Sequence, residues 1–411
     1  MQTKLERIER DIVELSKFNS SKDGGLTRFS LTEEDRAARN YLKSELEKLD
    51  VKIYEDKAAT LFARREGTDP DAPAIMIGSH FDSVRNGGNF DGPAGVVMAL
   101  EIMRTLDENK IRTRYPIEFV AMIEEEGGRF GSGVFGSRAM AGLVTYEQLQ
   151  ANKDSEGVSM AEALEKFGFD PRRIGEAKRD PSKVKAFIEL HIEQGPILEK
   201  NNKDVGIVEF IVGINEFKVI LSGRPDHAGT TPMDMRADAL GVAAKVISKI
   251  DSYPTPENNG TVATVGVLEV KPGAANIVPA QVVFTVDIRS KDQESIIRVK
   301  DKILKDLDQL TNGSEVSYEV FDMLNVKPVR MNEEVIEMFE ESAGKLGLSS
   351  QKMLSGAGHD AMIMAAVSEV GLIFVPSKDG RSHCKEEWTD FDKLQKGIEL
   401  IYDTILKLGE V

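Results

Sequence analysis

The sequence predicts an α/β protein built on a mixed β-sheet, with a smaller α+β domain inserted into it. Apolar runs typical of buried strands alternate with helical patterns over residues 51–191, which is the order found in α/β folds. Over residues 214–328 the order becomes β-α-β-β-α-β, which is typical of a ferredoxin-like domain. The α/β pattern then returns, so we predict two domains: residues 1–213 with 329–411, and residues 214–328.

Length, charge and cysteine usage narrow the class of protein. A chain of 411 residues is longer than one domain usually is. Its formal charge is −16, from 53 basic and 69 acidic residues, which argues against nucleic acid as a partner because phosphate binding needs clustered Lys and Arg. No apolar run approaches membrane-spanning length, and the N-terminus does not resemble a signal peptide. The single cysteine, Cys384, excludes an intrachain disulfide and fits the reducing cytoplasm.

The part of the chain before the insertion begins with two helices. Apolar residues at helical spacing from Leu5 to Leu15 predict an amphipathic helix over residues 1–18. Thr32 opens a second helix, to about Leu49, with a capping pattern. The other elements predicted here are strands at 51–54, 59–64, 74–77, 116–123 and 184–191, a helix at 94–107, a loop entering a helix at 131–141, and a helical excursion at 145–180.

The inserted segment and the C-terminal part are predicted in the same way. The strands of the insertion have alternating polarity, so we expect one face of its sheet to be exposed. Its elements are strands at 217–221, 261–270, 281–289 and 316–321, with helices at 237–250 and 293–310. After the insertion we predict helices at 332–346, from 361 and at 389–408, and a strand at 371–375.

Polar residues that suit a metal follow the predicted strand 74–77. His80 and Asp82 stand in a His-x-Asp pattern, and Asp91 precedes the next helix. His80 could bind a cation through one ring nitrogen while Asp82 orients the ring. An ordinary surface loop would also contain Asp and Asn, so this stretch alone leaves both interpretations open.

Other potential ligands also lie at strand ends. Three consecutive carboxylates, Glu124–Glu126, follow an apolar strand, and they repel one another unless a cation or proton lies between them. A solvated acidic loop is the alternative. His191 ends a strand and His383 follows one. Because sites form at the carboxyl ends of strands in open α/β sheets, we favour a functional role.

The histidines and carboxylates together predict a metal centre with two ions. The chain has only five histidines, and each lies near glycine or a polar residue. Three histidines and two carboxylates exceed what one tetrahedral zinc needs, and they suit two ions bridged by a carboxylate. The candidate ligands are His80, Asp91, Glu125 or Glu126, His191 and His383.

Four motifs resemble the M20 metallopeptidase clan, and specifically its amidase branch of N-carbamoyl-L-amino acid hydrolases, allantoate amidohydrolases and β-ureidopropionases. They are Gly78-Ser-His-Phe-Asp-Ser with Asn89-Phe-Asp-Gly-Pro-Ala-Gly, Glu124-Glu-Glu-Gly-Gly-Arg-Phe, Glu189-Leu-His-Ile-Glu-Gln-Gly-Pro, and Asp226-His-Ala-Gly-Thr-Thr-Pro-Met. The resemblance implies a mixed-sheet metallohydrolase catalytic domain with an inserted ferredoxin-like lid or dimerisation domain. It also implies a homodimer that forms through the inserted domain.

The resemblance further implies a role for each matching residue. The ligands of two divalent ions would be His80, Asp91 as the bridge, Glu126, His191 and His383. Glu125 would be the general base, Asp82 the partner of His80, and His227 the oxyanion donor, in its own or the partner subunit's site. Asn276 and Arg289 would hold a substrate carboxylate, with Gln194 and His359 as further pocket residues. The ions could be Zn²⁺, Mn²⁺, Co²⁺ or Ni²⁺, since all accept these ligands.

The implied activity is removal of the carbamoyl group from an N-carbamoyl-L-amino acid. Allantoate amidohydrolase, an M20 peptidase or aminoacylase, and a catalytically silent binding protein of the same fold are the alternatives. Individual residues also have simpler explanations. Arg289 could form a surface pair with Asp287, His359 could cap a helix, and His227 could be an ordinary loop residue. We interpret Cys384 as a buried neighbour of His383 rather than a nucleophile.

Overall fold

The computed structural model describes residues 3–411, which divide into two compact units. One unit contains the described residues up to Glu209 and the segment Met331–Val411, and the other is the segment Phe210–Arg330. Within the described residues, no helix is both long enough and apolar enough to cross a membrane. The helix predicted over residues 1–18 is present from Leu5, while Met1 and Gln2 lie outside the described part.

The elements follow the predicted order closely. Up to residue 211 they are α1 (Leu5–Ser16), α2 (Glu33–Leu46), β1 (Lys52–Glu55), β2 (Leu61–Arg65), β3 (Ala74–His80), α3 (Pro93–Glu108), β4 (Ile117–Met122), α4 (Phe135–Met140), α5 (Tyr146–Ala151), α6 (Met160–Phe167), β5 (Val184–Ile192), α7 (Ile197–Lys200) and β6 (Val205–Ile211). Then come β7 (Gly213–Ser222), α8 (Ala239–Ile247), β8 (Val262–Thr264), β9 (Leu268–Lys271), β10 (Gln281–Ser290), α9 (Gln293–Thr311), β11 (Ser317–Val326) and β12 (Val329–Arg330). The chain ends with α10 (Glu333–Leu346), β13 (Ser350–Ser355), α11 (Asp360–Met364), β14 (Glu369–Val375) and α12 (Phe391–Leu408).

The main sheet is mixed, as predicted. Over the described residues its strand order is β1-β2-β4-β3-β5-β14-β6-β12, with β13 pairing with β6. Four neighbours, β4, β3, β5 and β14, run parallel to one another. These strands are almost wholly buried, as parallel strands covered on both faces must be. Their carboxyl ends therefore open at one edge of the sheet.

Helix α3 packs against the sheet and begins beside His80. Gly92, its N-cap, has a φ of 80°, and a Cβ there would lie 2.7 Å from His80 Nε2. Glycine is therefore needed at this position for backbone conformation and for space. Pro93 follows at the first helical position, where its missing N–H costs nothing.

The second unit is a five-stranded sheet with helices on one face. Its strand order is β11-β7-β10-β8, with β9 also pairing with β10. Inward side chains of β7 and β10, such as Phe217 and Phe284, form a core with Val299 of α9. The alternate residues of both strands are partly exposed, as the alternating polarity predicted.

One strand prediction is wrong, and three strands of the structure, β6, β12 and β13, lie outside the predicted ones. The single strand predicted at 261–270 is two strands, β8 and β9, because Gly266 interrupts the ladder between them. Strands β6 and β13 were not predicted. They pair with each other although about 150 residues of sequence separate them, so no local pattern signals the pairing.

Two helical glycines of the first unit give a matched test of this packing. At Gly95 of α3, a Cβ would collide with the Leu190 carbonyl and lie 2.6 Å from Ser79 Cβ, whereas Gly344 of α10 has nothing within 4 Å. We predict that Gly95→Ala lowers the free energy of unfolding by about 1–3 kcal/mol through overpacking. Gly344→Ala should raise it by about 0.5–1 kcal/mol. Urea unfolding followed by circular dichroism measures both free energies of unfolding. Equal changes in the two variants would contradict the close packing at Gly95.

Candidate metal centre

The carboxyl ends of the four parallel strands bring the predicted ligands together. His80 is the last residue of β3 and His191 lies one residue from the end of β5. Glu125 and Glu126 follow β4, and His383 follows β14. The two strand histidines are held by the ladders, since His80 pairs with Met122 and His191 with Phe374.

Asp91 lies at the centre of this group, and its two carboxylate oxygens face different histidines. Oδ1 is 3.2 Å from His191 Nε2 and 3.6 Å from His80 Nε2. Oδ2 is 3.2 Å from His383 Nε2, which is itself 3.4 Å from Glu126 Oε2. The structure thus has two groups that could each hold a metal ion, His80–Asp91–His191 and Asp91–Glu126–His383, and they share Asp91.

The donor atoms of these groups fit divalent cations. His80 Nδ1 lies 3.2 Å from the Asp82 carbonyl, and His191 Nδ1 lies 2.9 Å from the Ile192 carbonyl. Each carbonyl requires the proton on Nδ1, which leaves the Nε2 lone pair as a ligand. His80 Nε2 and Glu126 Oε1 are buried without a hydrogen-bond partner. Such orphaned buried atoms are costly unless a cation binds them.

The three consecutive glutamates point in different directions because Asp82 shapes their loop. The Asp82 carboxylate accepts the backbone N–H groups of Glu125 and Glu126, at 3.1 and 3.2 Å. The Glu124 side chain turns away and accepts the backbone N–H groups of Arg129 and Phe130. Glu125 Oε2 lies 3.7 Å from His80 Nε2, and Glu125 belongs to neither ligand group. Asp82 also contacts His80, at 3.6 Å from Nδ1.

Burial sets the charge state of this region. It raises the pKa of Glu126 to about 7, with the negative charge of Asp91 as the next cause. Burial also raises the pKa of Glu125 well above its usual value; His80 opposes this, and Asp360 reinforces it. The hydrogen bond that protonated His383 donates to the Asp91 carboxylate raises the pKa of His383 to about 9, although burial opposes that shift. Without cations, Glu126 is therefore partly protonated and His383 is protonated near neutral pH.

Three further predicted residues lie close to this centre. Gln194 Nε2 donates to Asp91 Oδ2 at 2.7 Å and lies 3.3 Å from His383 Nε2. His359 is buried, with its ring centroid 4.5 Å from that of His191 and its Nε2 3.0 Å from Ser355 Oγ. Its side chain does not cap α11. Cys384 is half-buried rather than buried as predicted.

The remaining predicted residues lie in the second unit. His227 is exposed and its loop pairs with the Asn276 loop, since the N–H of Ala228 donates to the Asn276 carbonyl. His227 Nδ1 accepts the backbone N–H groups of Gly229 and Thr230, at 3.0 and 3.2 Å. The neutral ring therefore carries its proton on Nε2. Arg289 lies on β10 and donates through Nε and Nη2 to Asp287, both at 3.0 Å.

Comparison with known proteins decides the family. Residues 76–407 match Peptidase family M20/M25/M40. The chain belongs to this family. The crystal structure of an amidase of the hydantoinase/carbamoylase family from Burkholderia multivorans is 32% identical, with a TM-score of 0.91, and the alignment covers 99% of this chain and 98% of that one. The chain therefore belongs to the hydantoinase/carbamoylase amidase branch of family M20.

Relatives of this M20 chain with named activities include the following two. An N-carbamoyl-L-amino-acid amidohydrolase of Paenarthrobacter aurescens is 46% identical over 96% of this chain and 96% of its own length. An allantoate amidohydrolase of Bacillus subtilis is 33% identical over 96% of this chain and 95% of its own length.

Several residues that support the metal centre were not predicted. Glu189, two residues before His191, is buried and accepts Ser79 Oγ at 2.7 Å and the N–H of Ala361 at 2.9 Å. Asp360 is buried and accepts Ser137 Oγ at 2.6 Å. Burial raises its pKa to about 7, and the charge of Glu189 adds to the shift.

Ser382 and Glu387 lie on either side of His383 in the sequence and were not predicted either. Glu189 and Glu387 lie close in sequence to predicted histidines, which is the one signal that could have found them.

The raised pKa values predict that metal binding depends on pH. A cation must displace the proton of His383 below about pH 9 and that of Glu126 below about pH 7. Affinity should therefore fall as pH falls, with release of about one proton between pH 7 and 9 and more below pH 7. Titrating the chelator-stripped protein with Mn²⁺ at pH 6–9, against a competing indicator, measures this. Affinity that is constant, or that rises as pH falls, would contradict the assignment.

Proposed function

We propose that this M20 chain removes the carbamoyl group from N-carbamoyl-L-amino acids, with release of carbon dioxide and ammonia. The observation that carries the choice of substrate is its 46% identity, over 96% of the chain, to a relative of that activity. The allantoate amidohydrolase is more distant, at 33% identity. One water is consumed for each carbamoyl group: the C–N bond breaks, the nitrogen of the amino acid gains a proton, and carbamic acid decomposes to the two products.

Two divalent ions would be held by the two groups that share Asp91. One ion would be held by His80, Asp91 and His191, and the other by Asp91, Glu126 and His383. When bound, such ions polarise a carbonyl and lower the pKa of water, which offsets the weak electrophilicity of a ureido carbon. His and carboxylate ligands accept Zn²⁺, Mn²⁺, Co²⁺ or Ni²⁺, so metal availability would decide which ion is bound.

Glu125 is proposed as the group that moves the proton. It is held beside the ligand groups by its backbone contact with Asp82, yet it belongs to neither of them. Its side chain is only 12% exposed, and burial raises its pKa, which suits a carboxyl group that takes a proton and gives it up again. Glu125 would accept a proton from the attacking water and deliver it to the leaving nitrogen. Such a step is typically worth about 10²–10⁴-fold in rate.

The second unit is proposed to contribute binding groups. The Nε2–H of His227 is a suitable donor to a developing oxyanion, because its Nδ1 is already engaged by two backbone N–H groups. Asn276 and Arg289 are proposed to hold the substrate carboxylate, for which the planar guanidinium is well matched. Gln194 and His359 are proposed as further residues that shape the pocket.

We also propose that two copies assemble through the inserted segment, Phe210–Arg330. The support is its edge strand β11, which exposes the side chains of Phe321, Met323 and Leu324 by 45%, 55% and 42%. A long edge strand with exposed apolar residues is prone to pair with another chain.

A substrate panel tests the proposed function. We expect the purified protein, loaded with Mn²⁺ or Zn²⁺, to hydrolyse at least one N-carbamoyl-L-amino acid faster than allantoate, ureidoglycolate or any dipeptide tested. Ammonia release, measured as kcat/KM for each compound, gives the ranking. A kcat/KM for allantoate above that of every N-carbamoyl-L-amino acid would contradict the proposed substrate, while leaving the metal chemistry intact.

Glu125→Gln is the control that assigns the activity to this site. It keeps the shape of the side chain and removes its capacity to accept a proton, so turnover should fall by about 10²–10⁴-fold. Metal content, measured by inductively coupled plasma mass spectrometry, should stay equal to that of the unmodified protein because Glu125 is not a ligand. Retained turnover would contradict the role of Glu125, and loss of metal would make it a ligand instead.

A further inference from the structure

His383 is held less firmly by its own element than the other histidines of the centre. His80 and His191 lie on strands and are 1% exposed. The His383 side chain is 50% exposed, and its residue has a φ of 56° in the loop between β14 and α12. Its position against Asp91 therefore depends on contacts made by the rest of that loop.

Glu387, in the same loop, links His383 to the segment that carries Asp91. It is 4% exposed. Its Oε1 accepts the backbone N–H groups of Phe90 and Asp91, at 2.9 and 3.0 Å. Its Oε2 lies 2.8 Å from Ser382 Oγ, and that hydroxyl lies 2.7 Å from Asp91 Oδ2. One carboxylate thus holds the backbone of Asp91 and also contacts Ser382, the residue next to His383.

The neighbouring residues leave space for the Glu387 carboxylate. A Cβ at Gly88 would collide with the Glu387 side chain, so glycine leaves the space that the carboxylate occupies. Beside it, the rings of Phe90, Trp388 and Phe391 pack against one another, with centroids 5.3–5.6 Å apart. These aromatic contacts join the same two segments that Glu387 joins.

We propose that Glu387 is a positioning residue that holds His383 against Asp91 and so sets the affinity of the second ion, the one assigned to Asp91, Glu126 and His383. The ion assigned to His80, Asp91 and His191 depends on it less, because both of its histidines are fixed by strands. Outer contacts of this kind are typically worth about 10–100-fold in metal affinity. The inference rests on the proposed dinuclear centre.

Metal binding tests this role without relying on turnover. The chelator-stripped protein would be titrated with Co²⁺, with visible absorption and a competing chelator used to resolve the two affinities. Glu387→Ala should lower the affinity for the second ion by about 10–100-fold, and the affinity for the first ion by less than about threefold. Glu387→Gln should recover most of the lost affinity, because its amide oxygen still accepts both backbone N–H groups and its NH₂ can donate to Ser382.

The neighbouring Glu386 provides a matched control. It is exposed and pairs with Arg381 at 3.0 Å, so Glu386→Ala should bind both ions as the unmodified protein does. If Glu387→Ala fails to fold, Ser382→Ala would be measured in its place. This variant leaves the backbone contacts of Glu387 intact and should still lower the affinity for the second ion.

Three outcomes would contradict the inference. They are unchanged affinity for the second ion in folded Glu387→Ala, unchanged affinity in Ser382→Ala, or an equal loss in Glu386→Ala. Failure of the proposed function would look different, because unmodified protein that binds only one Co²⁺ would contradict the dinuclear centre itself.

Discussion

The arrangement of the metal centre depends on the orientation of one carboxylate, that of Asp91. Its Oδ1 faces two histidines fixed on adjacent parallel strands, and its Oδ2 faces the histidine of a loop. Gln194 Nε2 and Ser382 Oγ both donate hydrogen bonds to Asp91 Oδ2, each at 2.7 Å. A buried carboxylate among carboxylates is costly unless positive charge compensates it, so the centre has a strong electrostatic requirement for cations.

At the same edge of the sheet, one loop carries both a candidate metal ligand and the residue that we propose to transfer the proton. Asp82 accepts the backbone N–H groups of Glu125 and Glu126, and this fixes the turn that sends the two side chains in different directions. Glu126 then lies in the candidate ligand group Asp91–Glu126–His383, while Glu125 lies in neither group and is the residue that we propose to carry the proton. Two adjacent residues of one type can therefore have different roles because a third carboxylate shapes the loop that carries them.

Much of the fold and of the metal centre follows from local sequence patterns. His80 and His191 could be predicted because each lies at the end of a mostly apolar strand, and such strands lie in parallel at the centre of α/β sheets. The pairing of β6 with β13 could not be predicted, because the two strands are far apart in sequence. The choice between Glu125 and Glu126 as ligand came from family resemblance, since both are identical in type and differ only in backbone direction. Glu387 was missed because its loop contains many other polar residues and its backbone contacts are with Phe90 and Asp91, which are distant in sequence.

Two ions are proposed to share Asp91. Crystals grown with Zn²⁺, with diffraction data collected at the zinc absorption edge, test this proposal most directly. We predict two anomalous peaks about 3.5–4 Å apart, one beside His80 and His191 and one beside Glu126 and His383, with an Asp91 oxygen bound to each. A single peak, or two peaks of which only one contacts Asp91, would contradict the account.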